Sequence, residues 1–536
     1  MTETTEWAQL SELRRRWRDR RVDECFARDP SRVERLSCEA AGLYVDFSRQ
    51  RLDEDVISGL VDLANRRDLP GAIEALWRGD NVNHTESRPA LHMALRGMPG
   101  DGIADAAVEE RVATERERMR RIVDEVRNGE WAAPDGSSFK HIVHVGIGGS
   151  HLGPALVLDA LDWDPGNGNS PNVCFVSATD PTAYQRMCRG LDPSKTLLVV
   201  ASKSFGTRET LLNANMLVDW LATSSDRRTV LAEQVIGVSG NTRAMDEFGI
   251  PAAHQLDIPE WVGGRYSVWS SVGVTIALRL GWETFADFLD GARSMDRHFR
   301  SAEPRQNLGW LMALVGIWNT NFFDTPMHAV LPYAECLQLL PNYLQQLEME
   351  SNGKRIDRDG QPVNYRTAPV LWGGVGQNGQ HAFFQQLHQG TGWVPLDLVL
   401  VGGGEISDSP QRRVLLANAL AQAEALTHGR SEREAREELG DSLEHLAYKQ
   451  FPGNRPSTII CLDELDAFRL GSLLALYEHK VYVQSVIWNL NPFDQFGVEL
   501  GKEIASDIEQ GFRKGELGEG HDASTQALFA RLMRKR

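Results

Sequence analysis

Residues 141–153 read HIVHVGIGGSHLG, and they define the class of fold. The apolar run at 141–147 has the length and composition of a buried strand, and it leads through closely spaced glycines into a helical period. The same pattern returns downstream, with predicted strands at 173–177, 196–201 and 234–238. Strands that alternate with helices in this way form a parallel α/β sheet.

A second α/β half follows the first. Its predicted strands lie at 327–331, 369–372, 396–401 and 458–462, with helices such as 413–428 between them. A polar linker at 300–307 separates the halves, and the apolar run 308–318 fits a buried helix. The first 130 residues are predicted to be mainly helical, for example at 55–65 and 108–127, and a charged tail at 502–536 ends the chain.

Composition excludes several classes of protein. A chain of 536 residues is long enough for about two to four domains. Its net charge of −17 gives no general attraction for nucleic acid or for an anionic membrane, so an anionic substrate needs a local basic pocket. The six cysteines form no CxxC pair, which predicts reduced, mostly buried thiols. No signal peptide and no membrane-spanning run is visible, so we expect a cytoplasmic protein.

The glycine turn at 146–153 is the first candidate site. Ligands of open α/β sheets bind beyond the carboxyl ends of the strands, where the strand order reverses. Free N–H groups at a helix start suit an anion there. A dinucleotide fingerprint fails because position 151 is His151 instead of glycine, and the chain has no Walker A sequence. A tight turn without a ligand remains the alternative.

A second candidate follows the predicted strand at 196–201, where residues 201–210 read ASKSFGTRET. We call residues 202–207 the cradle. Its hydroxyl groups belong to Ser202, Ser204 and Thr207, and they surround Lys203 at a predicted helix start. Helix capping explains one or two such hydroxyls. Three hydroxyls with a lysine favour a phosphate site, because a phosphate offers several acceptor oxygens and a double negative charge.

Four further motifs carry chemistry, and each has a plainer alternative. Paired glycines precede Arg265 in VGGRYS (262–267), where a surface arginine is the alternative. The helix ending in QQLEMESNGK (345–354) carries Glu350, whose charge opposes the helix dipole unless it has a role or a cationic partner. His381 in GQHAFF (379–384) begins a predicted aromatic helix, as an acid/base group or as a buried structural histidine. In FDQFGVELGK (493–502), Glu499 and Lys502 have the spacing of an ordinary ion pair.

The combination is more specific than its parts. A phosphate cradle, a carboxylate, a histidine, an arginine and a lysine are the groups needed to abstract a proton beside a carbonyl and to stabilise an anionic intermediate. The histidines at 141, 144 and 151 do not have the spacing of metal ligands, so we expect no metal site there.

These motifs resemble those of the phosphoglucose isomerase family over nearly the whole chain. The resemblance also includes NHTESR at 83–88 and ALR at 94–96. It implies an α/β chain with two sugar-isomerase (SIS) domains, whose parallel sheets are flanked by helices. The implied divisions are a helical region at 1–118 that packs on the second SIS domain, a first SIS domain at 119–285, a second at 286–500, and a C-terminal arm at 501–536. It further implies a homodimer with active sites at the subunit interface.

The resemblance also implies a reaction, the interconversion of D-glucose 6-phosphate and D-fructose 6-phosphate in glycolysis and gluconeogenesis. Glu350 would move a proton between C1 and C2 through an enediolate, and Arg265 would stabilise the negative charge. His381 would come from the neighbouring subunit to open the sugar ring, aided by Lys502 and oriented by Glu209. A proton shift exchanges no electrons, so neither a metal nor another cofactor is expected. The residues implied to bind substrate are Gly149, Ser150, Ser202, Lys203, Ser204, Thr207, Gln346 and Gln495.

Two alternatives stay open at this point. An isomerase that also accepts mannose 6-phosphate would have the same motifs. A non-catalytic SIS-type sensor of sugar phosphates would need the cradle but could dispense with Glu350, His381 and Lys502. The presence of all three weighs against the sensor.

Overall fold

The computed structural model describes residues 2–162, 170–403, 409–440 and 444–534. The chain divides into two compact units, Met1–Pro492 and Phe493–Arg536. Parts of the predicted divisions lie outside the described residues, namely residue 1 of the helical region, 163–169 of the first SIS domain, 404–408 and 441–443 of the second, and 535–536 of the arm. No helix in the described ranges is both long enough and apolar enough to cross a membrane.

The strands form two sheets, both within Met1–Pro492. In chain order the strands are β1 Ser37–Ala40, β2 Leu43–Asp46, β3 His141–Val145, β4 Asn172–Val176, β5 Thr196–Ala201, β6 Val235–Val238, β7 Gln255–Leu256, β8 Met327–Tyr333, β9 Val370–Gly373, β10 Leu396–Val401 and β11 Ser457–Leu462. The strands predicted from apolar runs in the two halves are therefore confirmed, with ends that differ by one or two residues.

The first sheet has the order β4-β3-β5-β6-β7, and all its strands are parallel. The chain passes from β3 outward to β4 and then returns to the other side of β3 with β5. The strand order therefore reverses between β3 and β5, which is where a parallel sheet opens a crevice beyond its carboxyl ends.

The second sheet has the order β1-β2-β11-β10-β8-β9, in which β8 to β11 are parallel. An antiparallel hairpin, β1 and β2, extends one edge through pairing of β2 with β11. Ala41 and Gly42 connect the hairpin with positive φ angles of 50° and 75°, as a tight two-residue turn requires. These two strands lie in a region predicted to be mainly helical, and the sequence pattern did not predict them.

Helices flank both sheets and form the C-terminal unit. They are α1 Thr5–Arg16, α2 Val22–Arg28, α3 Arg32–Arg35, α4 Glu54–Arg66, α5 Leu69–Arg78, α6 Ala106–Asn128, α7 Gly149–Leu161, α8 Pro181–Cys188, α9 Arg208–Leu221, α10 Arg227–Glu233, α11 Thr242–Phe248, α12 Val274–Leu280, α13 Trp282–Ser301, α14 Leu308–Ile317, α15 Leu340–Gln345, α16 Gly376–Gly379, α17 Phe384–Gln389, α18 Pro410–His428, α19 Glu432–Leu439, α20 Ala467–Ile487, α21 Glu499–Lys514 and α22 Ala523–Met533. The last two belong to the C-terminal unit.

The core of the larger unit is built around α20, which is buried along almost its whole length and packs against α13 and α14. Every residue of α14 is buried, which confirms the buried helix predicted at 308–318. The six cysteines are free, but only Cys25 is fully buried and the other five are half-buried. The prediction of mostly buried thiols was therefore wrong, because those five lie at positions that solvent partly reaches.

Candidate functional site

The structure brings the glycine turn and the cradle together at the reversal point of the first sheet. The glycine turn follows β3 and the cradle follows β5, and these two strands are neighbours. Their register places Val145 opposite Val200, so both strands end at the same level. The two motifs therefore lie side by side at the carboxyl edge, as expected for a ligand site in a parallel sheet.

The glycine turn also touches the two other loops that carry candidate residues. Gly148 has a φ of 58° and precedes the first residue of α7. A Cβ atom on Gly149 would lie 1.9 Å from the carbonyl oxygen of Gly264, so only glycine allows this approach. The amide nitrogen of Gln346 lies 3.0 Å from the position of a Cβ on Gly148. Ser150, which is half-buried, is therefore the second residue of a helix whose start lies beside Gly264 and Gln346.

The cradle presents hydroxyl groups that are not used to cap α9. Ser202 is buried, and its Oγ donates to Oγ1 of Thr207 at 3.3 Å. Thr207 occupies the N-cap position of α9 but makes no side-chain cap bond within the described chain. The backbone N–H of Gly206 donates to Oγ of Ser204 at 3.3 Å. Phe205 holds a positive φ of 47° with its ring in the core, which anchors the loop between these donors.

Lys203 supplies the positive charge of the cradle. Burial lowers its pKa to about 8, and the nearby Arg88 guanidinium adds to this effect, while Glu86 and Glu260 oppose it. Glu86 forms an ion pair with Arg88 at 2.5 Å and accepts a hydrogen bond from Asn83. Burial acts to raise the pKa of Glu86, but these two hydrogen bonds outweigh it and lower the pKa.

Arg88 and Glu86 were not predicted as site residues. Both residues belong to the segment 83–88, which resembles the family, and the charges of both act on Lys203. The sequence feature that could have indicated this role is the cluster of polar and charged residues in NHTESR, which no helical pattern explains.

Arg265 is buried, with 3% of its surface exposed, so the alternative of a surface arginine was wrong. Its Nη1 lies 3.5 Å from Oε2 of Glu350, and its Nε donates to Oγ of Ser351 at 2.7 Å. Its Nη2 donates to the carbonyl oxygen of Pro492. The hydroxyl of Tyr266 lies 3.0 Å from the same Ser351 Oγ. Glu350 thus has the cationic partner that its position near a helix end requires.

A π-helical turn contains two carboxylates, Glu348 and Glu350, that look equivalent in the sequence but have different surroundings. Helix α15 continues into this turn at Gln346–Glu350, a local geometry that is frequent at functional sites. Glu348 is buried and pairs with Lys480 at 2.5 Å. Glu350 keeps 21% of its side chain exposed and is held by Arg265. Of these two carboxylates, Glu350 is therefore the one that a ligand can reach.

His381 lies in a turn between α16 and α17, so the prediction that it begins a helix was wrong. A Cβ atom on Gly379 would lie 2.4 Å from the ring of Phe383, so glycine leaves room for that ring in the turn before α17. His381 is exposed, and no hydrogen bond or ion pair among the described residues joins it to Glu209. Glu209 is itself exposed in the first turn of α9. His388 in α17 packs against the rings of Phe384 and Phe451.

Gln495 and Lys502 belong to the C-terminal unit. Gln495 directly precedes a short turn at Phe496–Val498, and Lys502 is an exposed residue in the first part of α21. Their participation in the site stays a prediction. Among the described residues, no group of His, Cys, Asp or Glu side chains is arranged to hold a metal ion.

Comparison with known proteins agrees with this geometry. The model of the phosphoglucose isomerase family matches residues 46–529. A glucose-6-phosphate isomerase of Burkholderia pseudomallei (strain 668) is 44% identical, over 98% of this chain and 97% of the relative. One of Chlorobium luteolum is 42% identical, over 99% and 97%. The crystal structure of a glucose-6-phosphate isomerase from Chlamydia trachomatis matches with a TM-score of 0.84 and 31% identity, over 99% of each chain.

The α/β fold, the site at its strand ends and these matches define an isomerase. The resemblance seen in the motifs is confirmed over nearly the full length. The chain belongs to the phosphoglucose isomerase family.

Proposed function

We propose that this chain interconverts D-glucose 6-phosphate and D-fructose 6-phosphate, with Glu350 as the base. The observation that carries the proposal is the pair of Glu350 and buried Arg265, 3.5 Å apart. The Gly149–Gly264 contact joins the loop of Arg265 to the glycine turn beside the cradle. A proton acceptor and a fixed cation are thus available close to an anion site, as an aldose–ketose isomerase requires.

The proton transfer needs one base and no external electrons. In the forward direction, the Glu350 carboxylate removes the proton from C2 of the open aldose, and the electron pair moves to the carbonyl to give an enediolate. The guanidinium of Arg265 stabilises the negative charge on that intermediate. The protonated Glu350 then returns a proton to C1, while the hydroxyl proton on O2 is lost and the oxygen on C1 is protonated. The product is the ketose, and its atoms equal those of the substrate.

We assign binding of the phosphate group to the cradle. Lys203 offers one charge, and the hydroxyl groups of Ser202, Ser204 and Thr207 lie beside it without capping α9. The N-terminal turn of α7, with Gly149 and Ser150, adds the positive end of a helix dipole to the same crevice. Gln346 and Gln495 complete the proposed sugar contacts.

Ring opening needs a second acid/base group, and we assign it to His381 of the partner subunit. In the single chain His381 is exposed on its turn and has no described contact with Glu209. This supports an assignment across a homodimer interface, where Glu209 would orient the imidazole and Lys502 would assist it. Exposed apolar side chains of the C-terminal unit support such an interface, because Phe496, Leu500 and Leu532 are 56%, 65% and 71% exposed.

Several further parts of the proposal follow from family membership. We place the domain divisions at 1–118, 119–285, 286–500 and 501–536, the reaction in glycolysis and gluconeogenesis, and the enzyme in the cytoplasm. The pairing of strand β2 with β11 supports the packing of the N-terminal region on the second SIS domain. The proposed reaction uses no metal and no redox cofactor, because the proton shift leaves the electron count unchanged.

Turnover of fructose 6-phosphate tests the proposed reaction. The product is detected with glucose-6-phosphate dehydrogenase as NADPH absorbance, and mannose 6-phosphate is assayed separately. We expect wild-type activity that Glu350→Gln abolishes, while inorganic phosphate still binds to the variant. A folded wild-type protein that binds phosphate but converts neither sugar would contradict the proposal and favour a sensor. Full activity of Glu350→Gln would show that the base is a different residue.

Mixed dimers test the assignment of His381 to the partner. Glu350→Gln and His381→Ala subunits are each expected to be inactive alone. A dimer of one subunit of each kind would contain one site with both changes and one intact site. We therefore expect activity to return when the two inactive proteins are unfolded and refolded together. No return of activity in a mixture that forms dimers would place both residues in the same subunit's site.

A further inference from the structure

A proline interrupts the hydrogen bonding of α7 close to the glycine turn. In an α-helix each N–H donates to the carbonyl four residues earlier, so position 154 should serve the carbonyl of Ser150. Residue 154 is Pro154, which lies inside α7 and has no N–H. The proline ring also crowds that carbonyl. The backbone carbonyl of Ser150 therefore needs a donor from outside the helix.

His144 provides that donor from β3. Its Nε2 lies 2.7 Å from the carbonyl oxygen of Ser150, and its Nδ1 lies 2.8 Å from Oγ1 of Thr275. A carbonyl can only accept, so the proton must be on Nε2, and the Thr275 hydroxyl then donates to Nδ1. The ring is completely buried, and burial lowers the pKa of His144 to about 4, so the imidazole is neutral at physiological pH.

A neighbouring glycine makes room for this arrangement. A Cβ atom on Gly146 would lie 2.6 Å from the carbonyl oxygen of Ser150. The bare backbone at Gly146 thus leaves the space that this carbonyl occupies. Four features of the same few residues agree: a missing helical donor, a substitute donor at hydrogen-bond distance, a hydroxyl that fixes its tautomer, and an open space for the acceptor.

We propose that His144 is a positioning residue, which fixes the orientation of the first turn of α7 by replacing the N–H that Pro154 lacks. The proposal rests on the proposed function, in which Gly149 and Ser150 bind the substrate. The carbonyl of Ser150 belongs to the peptide that links it to the next residue, so a change in its direction rotates the turn. His144 itself touches no substrate.

The test restores the missing donor by a second route. His144→Leu removes the donor, and we expect the KM for fructose 6-phosphate to rise about ten-fold, equivalent to about 1.4 kcal/mol. We expect kcat to change less, and the inhibition constant of inorganic phosphate to rise in parallel with KM. In the double variant His144→Leu/Pro154→Ala, the backbone N–H at position 154 can again serve the carbonyl. We expect KM to return to within about three-fold of the wild type.

A matched control separates positioning from general stability. Gln234 is a completely buried residue in the same sheet region, whose side chain donates to the carbonyl oxygens of Pro193 and Thr196 at 2.8 Å each. These contacts lie at the amino end of β5 and β6, away from the cradle. Gln234→Leu should therefore lower the thermal unfolding temperature and leave KM unchanged.

Three outcomes would overturn the proposal. They are an unchanged KM in His144→Leu, a failure of Pro154→Ala to lower the raised KM, or an equal rise of KM in Gln234→Leu. If His144→Leu does not fold, His144→Gln decides, because its amide keeps an N–H donor and should hold KM within about two-fold of the wild type. A ten-fold rise there would contradict the proposal. If the wild type has no isomerase activity, calorimetric binding of inorganic phosphate to the same variants still tests His144 separately.

Discussion

Replacing Arg96 by methionine should strongly destabilise the larger unit. The Arg96 side chain is 1% exposed, and it donates to both carboxylate oxygens of Asp296 at 2.7 and 2.6 Å. It also donates to Glu478 at 2.5 Å and lies 4.5 Å from the centre of the Trp269 ring. Trp269 follows Arg265 in the same loop, so this cluster supports the segment that carries the candidate catalytic arginine. The substitution leaves two buried carboxylates without their cation.

The expected loss of unfolding free energy follows from the burial of Arg96, Asp296 and Glu478. Removing one partner of a buried ion pair costs about 3–5 kcal/mol of unfolding free energy. The second carboxylate need not double this loss, because burial raises the pKa of Glu478 to about 7 even against the pull of Arg96. Without the arginine, Glu478 binds a proton still more readily and becomes neutral near pH 7. We therefore expect a loss of about 3–5 kcal/mol that is larger near pH 8 than near pH 6.

Urea unfolding followed by tryptophan fluorescence measures this loss for the wild type and Arg96→Met. The matched control is Arg243→Met, which removes an exposed arginine paired with Glu247 at 2.8 Å and should leave the unfolding midpoint unchanged. A loss of less than about 1 kcal/mol in Arg96→Met, as for an exposed pair, would refute the reasoning. A loss that grows as the pH falls from 8 to 6 would contradict the assigned sign for Glu478.

Three further predictions concern the site. Gly149→Ala places a Cβ 1.9 Å from a backbone oxygen, so KM should rise at least about ten-fold in the coupled assay, while Gly206→Ala, whose Cβ would meet nothing closer than 3.5 Å, should change KM little. Inhibition by inorganic phosphate should weaken as the pH rises through about 8, because Lys203 then loses its proton, and Lys203→Met should remove this dependence. Ser351→Ala removes the acceptor 2.7 Å from Nε of Arg265 and should lower kcat about ten-fold with a smaller change in KM, which steady-state kinetics would show.

The buried strands could be predicted from the sequence because a strand that is covered on both faces has a continuous apolar run. Predicted strands 196–201 and 396–401 coincide with β5 and β10. The hairpin of β1 and β2 was missed because strands of four residues are too short to show a period. Its second strand is held in the sheet by pairing residues far apart in the chain, such as Val45 with Ile460, and no local pattern reports that pairing.

Part of the candidate site could also be predicted from the sequence. The cradle could be located because its hydroxyls follow a buried strand, where parallel sheets bind ligands. The burial of Arg265 could not be predicted, because two preceding glycines are equally common in a surface loop. The different environments of Glu348 and Glu350 depend on Lys480, which lies on a helix more than a hundred residues later. Contacts of this kind decide which of two identical side chains faces a ligand.

We propose that one carboxylate, Glu350, moves the proton between C2 and C1. Glucose 6-phosphate carrying deuterium at C2 tests it most directly, with the fructose 6-phosphate product analysed by NMR. We predict that part of the deuterium appears at C1 and the rest exchanges into water, and that Glu350→Gln stops both the transfer and the exchange. Complete retention of deuterium without any exchange, together with unchanged transfer in Glu350→Gln, would contradict the account.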